Sequence, residues 1–298
     1  MFEAIQSFDN AFLHGIQNIF VDPLTSLFAI ITLLGHPGVW VVIATLLYWN
    51  NREKNAFFLV NVLVFASVIT GVLKVLIARP RPDPSIFKVA TDPIGLEKLQ
   101  QGINYSFPSG HTTTVTTLVS YYATKYKKSI LLGMGIIAVI LVALSRMVLG
   151  LHFLSDVMVA IIIGLIIGKV VWKAQESLQQ HHFRLTKLEA EAGFVILLIV
   201  ALVLMFFLEN LALISILLGF YAGFFLATEF TLKQRTLHFR LKVIKSVVGL
   251  LVLGLILAPA LSLANGTIAF GLLFLTGFWV SFLYPWLFEK AVSHPTSQ

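Results

Sequence analysis

The chain has 298 residues, of which 58% are hydrophobic and 12% charged, with a mean hydropathy of +0.90 and a formal net charge of +7. Soluble domains carry about 25% charged residues, so a soluble protein is excluded, and the basic residues are scattered in short segments between apolar runs rather than gathered into a nucleic-acid-binding patch. The absence of cysteine excludes disulfides and thiolate-bound metals.

The first twenty residues lack the basic start and continuous apolar core of a cleavable signal peptide. Phe2, Ile5, Phe8, Phe12, Ile16 and Ile19 recur at near-helical spacing, with Glu3, Gln6, Asp9, Asn10 and Gln17 between them. This pattern predicts an amphipathic helix lying in the membrane interface, or equally one packed on a helix bundle.

Nine apolar segments follow, at 24–49, 56–79, 109–124, 130–149, 153–172, 193–208, 211–230, 246–264 and 268–288. A crossing needs ~20 mostly apolar residues. The first segment is too long for one straight span and contains Gly35-His36-Pro37-Gly38, so its leading part is read as interfacial. The expected fold is an all-α polytopic transmembrane helix bundle of about nine spans. With the N-terminus outside, fifteen of the 21 Lys and Arg residues fall inside and six outside, among them Lys74, Arg79, Arg81 and Arg146. That bias predicts a cytoplasmic C-terminus. The polar run 173–192 reads as a cytoplasmic linker between a core at 1–172, holding the interfacial helix and five spans, and an accessory four-span bundle at 193–298.

Ionisable residues at membrane depth are costly and mark function. Three clusters occur, all at predicted outer helix ends. In the first, Lys74 and Arg81 are seven residues apart and share a face if the helix continues, while Pro80 and Pro82 turn the chain away. Two cations there bind an anion, or equally snorkel to lipid headgroups. In the second, Pro108-Ser109-Gly110-His111 opens the third span. The free N–H groups of its first turn favour a phosphate, Gly110 permits close backbone approach, and His111 can donate a proton. Taken alone, the motif is also an ordinary helix start with an interfacial histidine. In the third, Ser145-Arg146 precedes His152 and Asp156, which are four apart and meet if both lie on a helix. A carboxylate holding one ring nitrogen frees the other as a nucleophile, and Arg146 offers a fork for two phosphate oxygens. The same pair is equally suited to a proton relay in a transporter.

Together the clusters supply what phosphoryl transfer requires. Lys74, Arg81, Arg146 and the N–H groups near Ser109 and Gly110 neutralise the phosphate. His152, oriented by Asp156, attacks, and His111 protonates the leaving oxygen. No metal and no cofactor is required.

Lys74-x6-Arg81-Pro82, Pro108-Ser109-Gly110-His111 and Ser145-Arg146-x5-His152-x3-Asp156 resemble, without a departure, the three-part signature of the type-2 phosphatidic acid phosphatase superfamily. That group includes lipid phosphate phosphatases, undecaprenyl pyrophosphate and phosphatidylglycerophosphate phosphatases, glucose-6-phosphatase and vanadium haloperoxidases. The resemblance covers about residues 1–172. It implies a metal-independent phosphohistidine mechanism with His152, Asp156 and His111 in those roles.

The polar stretch 83–106 is expected to roof the site as a loop or short surface helix. The expected substrate is a lipid phosphate, with undecaprenyl pyrophosphate favoured over phosphatidylglycerophosphate or phosphatidate and over a sugar phosphate. A transporter or scaffold is the reading from another class. The expected location is the plasma membrane, with the site at its extracytoplasmic face. In the second half Gly219 and Gly223 are spaced for close helix approach, and this half is expected to pack against the core or a second copy of the chain and to shape a lateral entry for the lipid tail.

Overall fold

The computed structural model describes residues 3–20, 22–89, 105–180, 211–229, 237–263 and 266–293, and every regular element among them is helical. In chain order these are α1 (Glu3–Ile19), α2 (Asp22–Ile31), a 3-10 turn (Thr32–Gly35), α3 (Pro37–Trp49), α4 (Glu53–Ile77), α5 (Gly110–Tyr126), α6 (Ser129–Val148) and α7 (Leu154–Gln180). After these come α8 (Leu211–Glu229), α9 (Phe239–Ser262), α10 (Thr267–Phe278), a π turn (Trp279–Leu283) and α11 (Tyr284–Ser293).

Among the described residues, five helical stretches are long and apolar enough to cross a membrane: Glu53–Ile77, Ser129–Val148, Leu154–Ser177, Phe239–Ala260 and Thr267–Val292. A sixth arises only if Ala4–Ile19 and Leu24–Gly35, bent by 115°, count as one broken span. Shorter apolar helices occupy Pro37–Trp49 and Ile214–Thr228. The expected span at 193–208 lies outside the described residues. The expected span at 24–49 is three pieces, because Pro37 holds His36 extended (φ −77°, ψ 121°) and itself starts α3.

Residues 3–40, 60–89 and 105–180 belong to one compact unit, and 41–59 with the described residues beyond 211 to a second. In the first unit α7 lies against α5 through two glycines four residues apart. A Cβ at Gly164 would sit 2.6 Å from Thr116 Cβ, and one at Gly168 2.5 Å from the Thr117 carbonyl. Only a bare backbone allows that approach. The buried Thr113, Thr116 and Thr117 of α5 line this packing, and Ser120 donates to the Leu165 carbonyl at 2.8 Å. The α1 helix is anchored by Leu13, fully buried with Phe87, Met147, Phe153 and Val157.

In the second unit Gly219 and Gly223 do lie at a close helix contact. Added Cβ atoms would fall 1.9 Å from the Phe274 carbonyl and 2.2 Å from Ser281 Oγ. Within the same unit the carbonyls of Val280 and Ser281, in the π turn, accept from Trp49 Nε1 at 3.0 Å and Tyr48 OH at 2.8 Å.

Candidate active site

The three predicted clusters converge in the first unit. Each is delivered by a helix end whose geometry follows from local sequence.

α4 stops at Ile77. Ala78 takes a left-handed conformation (φ 49°) and donates to the Lys74 carbonyl at 2.8 Å, and Pro80 denies helical backbone to Arg79. Lys74 and Arg81 are therefore not on one continuing helix, as their spacing suggested. Arg81 reaches the site from the extended segment beyond the helix. Lys74 Nζ donates to the Tyr105 carbonyl, which ties the end of α4 to the entry of α5.

Ser109 is the N-cap of α5 and is fully buried, but its hydroxyl pairs with Thr112 Oγ1 at 3.0 Å and caps no backbone N–H. The first-turn amides thus keep the anion-binding character of a helix N-terminus. Gly110 lies in that turn. His111 follows, 8% exposed, with Nε2 lacking a hydrogen-bond partner and its ring centroid 5.3 Å from that of His36.

α6 ends in a Schellman motif: Leu151 N donates to the Arg146 carbonyl at 3.0 Å and Gly150 N to the Met147 carbonyl at 2.9 Å. Gly150 has φ 69°, and a Cβ there would lie 2.1 Å from the Lys88 carbonyl, so the turn needs glycine twice over. His152 comes two residues later, outside any helix, because α7 begins at Leu154. Asp156 occupies its first turn and reaches back to accept from Phe153 N at 2.9 Å, half of a capping box.

The expectation that His152 and Asp156 meet along one helix is thus corrected: they meet across a helix start. The distance from His152 Nδ1 to Asp156 Oδ2 is 3.6 Å, an electrostatic contact rather than a hydrogen bond. His152 and Asp156 are both buried, as is Arg146, whose NH1 donates to Thr32 Oγ1 at 3.0 Å. His152 lies between spans. Burial first, then the charges of Arg81, Arg146 and Lys74, hold its imidazole well below the ordinary histidine value, against a smaller opposing effect of the Ser106 carbonyl. Arg146, His36, His152 and Arg81 also lie within electrostatic range of His111. A cavity of about 150 Å³ opens beside Arg81, lined also by Gln6, Asn10, Asp83 and Phe153.

Sequence reasoning missed three participants. Arg79, counted only as a topological charge, is 2% exposed and donates to Asp156 Oδ1 and Asp9 Oδ2, each at 2.7 Å. Asp9, read as part of a helix's polar face, is 1% exposed and turned inward, as is Gln17, while Phe8 faces out at 61%. Their signal was a polar stripe of Gln6, Asp9, Asn10 and Gln17 recurring at helical spacing. His36 carried only the signal of lying at a break in a span.

The fold and site define a polytopic helical membrane protein in which the buried imidazoles of His36, His111 and His152 lie among clustered cations, His152 beside the Asp156 carboxylate. Comparison with known families matches residues 55–180 to the PAP2 superfamily and residues 211–293 to the "PAP2 superfamily phosphatase, transmembrane extension". The chain belongs to the PAP2 superfamily of membrane lipid phosphatases. It is 27% identical to the lipid A 4'-phosphatase of Porphyromonas gingivalis over 54% of this chain and 69% of that protein. It is also 27% identical to phosphatidylglycerophosphatase B of Bacillus subtilis over 47% of this chain and 68% of that protein. Identity to the undecaprenyl-diphosphatase of Sulfolobus acidocaldarius is 33%, over 47% and 66% respectively. Among solved structures, the transmembrane PAP2-type phosphatidylglycerolphosphate phosphatase from Bacillus subtilis is similar, with a TM-score of 0.49 and 24% identity over 59% of this chain and 88% of that one.

Proposed function

We propose that the protein is a plasma-membrane lipid phosphatase that works through a phosphohistidine on His152, without metal, at the extracytoplasmic face. The observation that carries this reading is the setting of His152: a buried imidazole beside Asp156, within the field of Lys74, Arg81 and Arg146. The cations and the α5 N-terminus at Ser109 and Gly110 bind the phosphate, whose negative charge balances theirs. His152 attacks phosphorus in line, an N–P bond forms and the P–O bond to the leaving group breaks. The leaving oxygen takes a proton from His111, whose unpartnered Nε2 suits that role. Water then cleaves the N–P bond, giving its proton to His111 and releasing phosphate.

Residues 1–172 form the phosphatase core in this reading, 173–192 the cytoplasmic linker and 193–298 the accessory bundle of a nine-span chain with its N-terminus outside. The relatives act, by their names, on lipid A, phosphatidylglycerophosphate and undecaprenyl diphosphate, which supports a lipid substrate without choosing one. We favour undecaprenyl pyrophosphate, whose apolar chain suits a site reached from the bilayer, ahead of phosphatidylglycerophosphate, phosphatidate and sugar phosphates.

The test is phosphate release in EDTA from undecaprenyl pyrophosphate, phosphatidylglycerophosphate, phosphatidate and glucose 6-phosphate, with His152→Ala in parallel. Release from a lipid that His152→Ala abolishes is expected. Activity confined to glucose 6-phosphate, or lost in EDTA and restored by a divalent cation, would overturn the lipid or the metal-independent part respectively.

A further inference from the structure

Asp156 cannot turn freely to meet His152, because both its oxygens are engaged. Oδ2 accepts from Phe153 N at 2.9 Å, and Oδ1 accepts from Arg79 NH1 at 2.7 Å. Arg79 is held in its turn. Its NH2 donates to Asp9 Oδ2 at 2.7 Å and to Gln6 Oε1 at 3.0 Å, its NH1 also donates to Ser155 Oγ at 2.6 Å, and its guanidinium stacks 4.3 Å from the Phe153 ring centroid. A guanidinium is a rigid planar fork, so fixing one arm on Asp9 fixes the direction of the other. Asp9 also accepts from Ser155 N at 3.1 Å and from Ser155 Oγ at 2.5 Å, which locks it to the first turn of α7, the turn that carries Asp156.

We infer that Asp9 and Arg79 are positioning residues for the nucleophile: α1 sets the Asp156 carboxylate through Arg79, and Asp156 sets the His152 ring. The inference rests on the phosphohistidine reading above. It makes α1 part of the active-site scaffold rather than a membrane anchor alone. The geometry is redundant in one useful respect. α1 is also held by Leu13 in the apolar cluster and by Gln17, whose Nε2 donates to the Lys88 carbonyl at 2.7 Å and the Val148 carbonyl at 3.3 Å. Neutralising Asp9 therefore removes the brace while leaving the helix docked.

The experiment measures kcat and KM for wild type, Asp9→Asn, Arg79→Gln, the double variant, Asp9→Glu and His152→Ala, on whichever lipid phosphate the wild type hydrolyses. Elution volume and thermal unfolding in detergent establish folding. Misorienting a reacting group by about 1 Å costs about 100-fold, so Arg79→Gln is expected to lower kcat about 100-fold and Asp9→Asn about 10-fold, with KM within about twofold. The double variant should be no worse than Arg79→Gln, because the two residues act in one chain, and Asp9→Glu should recover part of the loss. Ser155→Ala, a milder cut in the same network, keeps the test decisive if Arg79→Gln does not fold, and should lower kcat by about threefold at unchanged KM. Folded Asp9→Asn and Ser155→Ala with wild-type kcat, or a loss that appears in KM alone, overturns the inference while leaving the phosphatase reading intact. A wild type with no His152-dependent phosphate release overturns both.

Discussion

In the proposed mechanism His152 attacks as a neutral imidazole, and its surroundings favour that form. Burial and the cations Arg81, Arg146 and Lys74 penalise the imidazolium, so the proton leaves at a lower pH than from an ordinary histidine, about 6.5. The acid limb of kcat/KM is therefore expected below that value, and Arg146→Gln should move it upward, toward the ordinary value. A limb at or above 6.5 in the wild type contradicts this. The sign for stability is the same. The unfolded chain binds the proton more readily, so the contribution of His152 is complete above about pH 6.5 and is lost as pH falls toward the depressed native value. At Gly150, alanine meets both a left-handed φ of 69° and the Lys88 carbonyl at 2.1 Å. The backbone strain alone costs about 1–2 kcal/mol, and denaturant titration of Gly150→Ala should show at least that much, with reduced kcat because His152 follows the turn. His152, His111, Lys74, Arg81 and Arg146 stood out as candidates because each sits in a short motif with a chemical meaning. Arg79 did not, since an arginine between an apolar helix end and Pro80-Arg81-Pro82 looks the same whether it faces lipid headgroups or two buried carboxylates.

At the scale of elements, the contact that matters most to the site is α5 on α7, since α5 begins at His111's turn and α7 at Asp156's. Gly164 and Gly168 set its spacing. Gly168→Val is expected to push the helices apart, destabilise the protein and lower kcat. Gly133→Ala, in α6 with nothing within 4 Å of an added Cβ, should be neutral or gain up to about 1 kcal/mol from helix propensity. Equal effects of the two substitutions would remove the spacing argument. Helix ends were less legible than helices. The stop of α4 before Arg79 could be foreseen from Pro80, but the start of α7 at Leu154 could not. Residue spacing alone suited a helical His152–Asp156 pair, whereas the folded chain uses Asp156 as a helix cap.

For the whole molecule, the proposed topology is testable without background because the chain has no cysteine. Ser85→Cys and Lys128→Cys each place a thiol on an exposed position, one near the candidate site and one in the α5–α6 turn. A membrane-impermeant maleimide added to intact cells should label the first and spare the second. The reverse pattern would put the site on the cytoplasmic side. Composition and hydropathy by themselves determined that this is a helical membrane protein, because about 20 apolar residues in lipid have no alternative that satisfies the backbone. Motif chemistry likewise singled out the residues that the proposed mechanism sets around a phosphate. The tertiary structure alone decided what holds them. The contacts of Arg79 with Asp9 and Asp156 span 70 and 77 residues, and periodicity specifies the face on which a side chain lies but not the partner that the packed helices bring to it.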